Sequence, residues 1–151
     1  WTNENVEQMN ALDRVVAALL GARRTCDVPA DLVDAYSILT SAYSDLEYGT
    51  QCTILMKPPA GHDEIQTLIR ASRWDLIKNV LRGPNPVGRV YAAEALLRAE
   101  NRRKVLEPED RKTIDIVSRL DIRIPRCSGC FGGQTTASQV LHYLTAESTA
   151  K

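Results

Sequence analysis

The chain has 151 residues, 19 basic and 19 acidic side chains, four cysteines and 44% hydrophobic residues. That length suits a single domain, 1–151, able to bury one core, and the balanced charge provides no overall field to attract nucleic acid or an anionic membrane surface. The longest apolar run, VVAALL at 15–20, falls far short of a membrane span, so a soluble protein is expected.

The chain opens on Trp1 and not on Met. It is therefore read as a mature product or a trimmed segment from which a signal peptide could have been removed. Four cysteines form an even, sparse set. They favour an exported protein, secreted or periplasmic, with the cytoplasm as the alternative.

Apolar residues recur at three and four positions along nearly the whole chain, the spacing of one helical face, and the fold class expected is all-α with six or seven helices. A first helix is predicted over Glu4–Ala22, striped by Met9, Leu12, Val16, Leu19 and Leu20, with Thr2 or Asn3 as cap and Arg23 and Arg24 at its negative end. A second is predicted over Ala30–Glu47. Residues 48–61, YGTQCTILMKPPAG, lose the period and read as an irregular loop with Ile54, Leu55 and Met56 tucked inward. Helices resume over Asp63–Ala71 and Ser72–Arg82. The turn GPNP follows, and then helices over Val87–Lys104, Pro108–Leu120 and Thr135–Glu147.

Residues 73–98, RWDLIKNVLRGPNPVGRVYAAEALLR, resemble a single HEAT-type helical repeat: a helix ending in Leu, a proline-containing turn and a second helix of the pattern Asp-Pro-x-Val-Arg-x-x-Ala-Ala-x-Ala-Leu. Pro86, Val87, Arg89, Ala92, Ala93, Ala95 and Leu96 fit. Asn85 replaces the acidic residue, and Gly88 is an extra residue between Val87 and Arg89. No second copy with this signature occurs in the sequence. The resemblance implies stacked helix pairs that bind another macromolecule through a face or groove, without catalysis. Independently of it, small residues at 92, 93 and 95 allow a neighbouring helix to approach closely. Trp74, Arg89 and Tyr91 are the candidate binding surface, aromatic residues being favoured anchors, and core packing is the other reading of Trp74 and Tyr91.

The stretch RCSGCFGG at 126–133 holds Cys127 and Cys130 at a spacing used by redox pairs, zinc sites and staples alike. A thioredoxin-type motif opens directly into a helix, whereas here FGGQTT intervenes. The preceding DIRIP has strand character but no partner strand in this reading. Zinc requires two further ligands, from Cys26, Cys52, His62 or His142. A structural disulfide is favoured, either local or joining this loop to Cys26 or Cys52. A Cys26–Cys52 bridge is barely within reach, because eighteen helical residues span about 27 Å.

His62, Asp63 and Glu64 read as a helix start with acids at its positive end. Arg98, Arg102, Arg103 and Lys104 read as a solvated helix terminus able to touch an anionic partner. No combination of base, nucleophile and orienting group can be assembled from two histidines and scattered acids. The expectation is a non-enzymatic helical binding or scaffold module with a protein partner and no cofactor. The alternatives are a thiol-redox or zinc protein centred on Cys127 and Cys130, and a structural exported helical protein.

Overall fold

The computed structural model describes residues 3–149, with side chains through Leu144. Trp1 and the proposed cap Thr2 lie outside the described residues. The α-helices are α1 (Asn3–Leu20), α2 (Val33–Thr40), α3 (His62–Arg70), α4 (Trp74–Leu81), α5 (Pro86–Arg103), α6 (Pro108–Arg119) and α7 (Ala137–Thr149). Between α6 and α7 lies an antiparallel hairpin, β1 (Arg123–Ser128) and β2 (Phe131–Thr136). The protein is thus largely helical but not purely all-α. Of DIRIP, Arg123–Pro125 do join a strand, and its partner is the FGGQTT segment, which carries no apolar alternation to announce it.

The core gathers around α4 and α5. Leu76, Ile77, Val80 and Leu81 meet Val90, Ala92, Ala93 and Leu96, joined by Leu39, Ile65, Leu68, Ile114, Val117, Ile124 and Leu141 from the surrounding elements. Of the apolar stripe on α1, only Val16 and Leu20 are buried, whereas Leu12 and Leu19 are exposed. The stretch 73–98 covers α4 and most of α5. Among the described residues nothing shows an array of HEAT or armadillo repeats.

The second helix stops at Thr40, not at Glu47, and the reason lies on α5. Asn85 caps α5 by accepting the amides of Val87 and Gly88 at 3.0 and 3.1 Å. Its amide nitrogen donates to the carbonyls of Ser41 and Ser44 at 2.9 and 3.1 Å. The backbone beyond Thr40 is therefore held by a side chain 41–44 residues away and not by its own helical turn. Gly88 has its reason here too, since a Cβ at that position would overlap the Leu39 carbonyl. The residue that is surplus to the repeat pattern is what lets α5 press against the end of α2.

A buried ion cluster ties α4 to α6. Asp110 is fully buried, with Lys78 Nζ at 2.8 Å and Arg82 Nη1 at 2.9 Å. The same carboxylate accepts the Glu107 amide at 3.0 Å, which closes the first turn of α6. Asn79, also buried, clamps the segment after α1: its Oδ1 accepts the Arg24 amide at 2.8 Å and its Nδ2 donates to the Arg24 carbonyl at 2.6 Å.

Candidate functional site

Two features stand out, a cross-linked clasp and a groove beside it. The clasp joins the irregular 48–61 segment to the hairpin. Cys52 and Cys127 form a disulfide-distance pair, with Cα atoms 5.4 Å apart, inside the usual range for a bridge. Cys26 and Cys130 are free. Neither the local Cys127–Cys130 staple nor the Cys26–Cys52 bridge forms. Backbone pairing explains the choice, because Tyr48 donates to the Pro125 carbonyl at 2.9 Å and Cys127 donates to the Tyr48 carbonyl at 3.0 Å, laying residues 48–52 along the outer edge of β1.

Cys26 instead packs against Asn79, whose Nδ2 lies 3.3 Å from the sulfur. Burial, with the neighbouring Asp75 carboxylate, pushes the Cys26 thiol up from its ordinary value. Cys130 lies on the hairpin turn and is exposed. The tips of both loops carry apolar side chains into solvent: Ile54 and Phe131 are each 83% exposed, and Leu55 and Met56 are exposed as well. Ile54, Leu55 and Met56 therefore point outward, contrary to the sequence expectation. The 52–57 turn is too short to fold them back, since Cys52 and Lys57 pair directly across it.

The groove runs along α3 and α5. At its clasp end is a cavity of about 90 Å³ lined by Tyr48, His62, Ile65, Tyr91, Glu94 and Arg98, among others. It continues past Gln66, Ile69, Ala95 and Arg98 into a wider depression that reaches Trp74, Arg102, Arg103 and Leu144. Tyr48 donates to Glu94 at 2.8 Å, and Arg98 Nε donates to the other oxygen of the same carboxylate at 2.9 Å. The Arg103 guanidinium lies 5.7 Å from the centre of the Trp74 ring, a cation–π placement. The lining mixes apolar Ile69, Trp74, Ala95 and Leu144 with polar Gln66 and Asn101 and the arginines Arg98, Arg102 and Arg103.

The three residues expected to form a binding surface separate. Trp74 lies in the groove, half-buried. Tyr91 is only 4% exposed; its hydroxyl donates to the Glu47 carbonyl at 2.7 Å and accepts the Gly49 amide at 3.0 Å, so it anchors the clasp segment. Its ring reaches the cavity wall. Burial pushes the phenols of both Tyr91 and Tyr48 up. Arg89 is 7% exposed and donates to the carbonyls of Gly83 and Pro84 at 2.7 and 2.9 Å. It holds the turn between α4 and α5 and offers no side chain to a partner.

His62 opens α3, as expected, with its ring edge-on to Tyr91 at 6.5 Å and Nδ1 3.3 Å from Asp63 Oδ1. His142 sits on α7 beside Tyr143. Sequence reasoning missed Glu94, Gln66 and Ile69, whose spacing marks them only as ordinary helix positions. The arginine group was visible, but its partnership with Trp74 was not. No family model, curated protein or solved structure matches this chain.

Proposed function

We propose that the protein is a non-enzymatic binding module that receives a segment of a partner protein in the α3–α5 groove. The observation that carries this reading is the groove's composition: the apolar side chains of Ile69, Trp74 and Ala95 stand in one depression with the arginines Arg98, Arg102 and Arg103. Among those arginines a single carboxylate, Glu94, offsets Arg98. The chemistry complementary to such a surface is an amphipathic segment carrying acidic side chains, with electrostatics contributing mainly to encounter and register. The likeness of residues 73–98 to a HEAT-type unit supports the same reading, because Trp74 and Arg98 belong to that unit. A disulfide-distance clasp fits an oxidising compartment, and we place the protein outside the reducing cytosol on that ground.

The experiment compares capture of binding proteins by three forms of the full chain: wild type, Arg102→Glu with Trp74→Ala, and Arg14→Glu on the exposed flank of α1. The reading expects a partner retained by wild type and by Arg14→Glu, and lost by the groove variant while circular dichroism stays unchanged. It also expects binding to weaken as salt is raised. Equal capture by all three forms overturns it.

A further inference from the structure

The clasp gathers three groups of metal-ligating type. The sulfurs of Cys52 and Cys127 and a carboxylate oxygen of Glu47 all lie within 4.8 Å of one another. Both cysteines are buried, and Glu47 is half-buried. Backbone pairing positions these groups without help from the sulfur–sulfur bond. Cys127 donates to Tyr48, Gly129 donates to Gln51 at 2.9 Å, and Cys52 and Lys57 exchange bonds of 2.7 and 3.0 Å. Glu47 is pinned at both ends of its own peptide: its amide donates to the Ala60 carbonyl at 3.2 Å, and its carbonyl accepts the Tyr91 hydroxyl.

A Cβ at Gly49 would stand 2.6 Å from the Cys127 carbonyl and 2.9 Å from its sulfur, so only glycine lets the 48–52 backbone lie this close to the sulfurs. Two thiolates and a carboxylate, converging from separate points of a fixed backbone, are the donor set of a borderline-soft, tetrahedral divalent cation. Magnesium and calcium take oxygen ligands. Without a metal the two buried thiols keep their protons; once both are ionised, three negative groups packed this closely are offset by the bound cation.

We propose that in the reduced chain Glu47, Cys52 and Cys127 bind one zinc-class divalent cation, with solvent in the fourth position. The hairpin is then fastened to the 48–52 segment by a disulfide under oxidising conditions and by metal under reducing ones. With a phosphine as reductant the balance is complete. The phosphine supplies two electrons and takes the oxygen of one water, the sulfur–sulfur bond breaks, and the two sulfurs take that water's protons. Metal binding then releases both thiol protons to solvent. This inference stands independently of the groove.

The test uses the full chain carrying Cys26→Ser and Cys130→Ser, which leaves Cys52 and Cys127 as its two thiols. After phosphine reduction it is titrated anaerobically with Cd²⁺, following thiolate-to-metal charge-transfer absorption, and Zn²⁺ affinity is measured against a chromophoric chelator. The expected result is a band that saturates at one ion per chain, disappears in the oxidised protein and is displaced by Zn²⁺. Glu47→Gln in the same background should weaken Zn²⁺ binding by about tenfold or more. Absence of a saturating band, or a Glu47→Gln chain that binds Zn²⁺ as tightly as its parent, overturns the proposal. A second readout needs no ligand variant: Zn²⁺ should raise the thermal midpoint of the reduced parent and not of the oxidised one, and no difference between the two also overturns it.

Discussion

Asp110 shows how much one side chain can hold. Burial alone would push its carboxyl up, but the bond from Lys78, the Glu107 amide and Arg82 together keep it below the ordinary carboxylate value. A carboxyl whose pKa is lower in the folded than in the unfolded chain stabilises the fold above its unfolded pKa, and that contribution is lost as pH falls through its folded pKa. Stability should therefore begin to decline below about pH 3.9, the ordinary Asp value, and fall further as Asp110 takes up its proton. Asp110→Ala leaves Lys78 and Arg82 facing each other in a buried site, and the expected loss is about 3–5 kcal/mol, measured by urea unfolding at pH 7. In Asp110→Asn the acid-dependent part of the decline should be smaller than in wild type.

The cysteines make a second prediction at this scale. Native oxidised protein should present two thiols to an alkylating reagent. Cys130, exposed on its turn, should react first. Cys26, half-buried against Asn79 with its thiol pushed up, should react much more slowly and catch up on denaturation. Equal rates at the two positions, read by mass spectrometry of the labelled peptides, would contradict the placement of Cys26.

Among the elements, the long regular helices were legible because their apolar period is strong and their ends are marked: Pro86 and Pro108 each stand at the first position of a helix, where a missing amide costs nothing. The end of α2 was not legible. Its apolar period runs on through Tyr43 and Leu46, but the carbonyls of Ser41 and Ser44 are taken by Asn85, a contact no local pattern encodes. The hairpin was half legible, since DIRIP has strand character while FGGQTT reads as loop until backbone pairing supplies its partner. The cysteine pairing follows from that hairpin and was hidden with it. Gly88→Ala tests the α2–α5 contact. The added methyl meets the Leu39 carbonyl, backbone that cannot rotate away, so a loss of about 1–3 kcal/mol is expected. An unchanged unfolding midpoint would show that α5 does not press on the end of α2.

At the scale of the whole molecule, the α4–α5 pair supplies the core with one face and the groove with another. The clasp fixes the 48–52 segment at one end of that groove, where Tyr48 meets Glu94, and Trp74 with Arg103 forms the other. The repeat-like sequence pointed to this pair as a binding element, yet two of the three residues it suggested, Arg89 and Tyr91, are buried in structural roles. The arginines of α5, readable as a solvated helix end, line the groove in their place. Hydrogen exchange of the full chain, free and bound to a protein that the groove variant fails to capture, tests this account most directly. The account predicts new protection in peptides covering residues 62–70 and 94–103. Protection confined to the apolar tips at 53–56 and 129–133, or to α1, with the groove peptides unchanged, would contradict it.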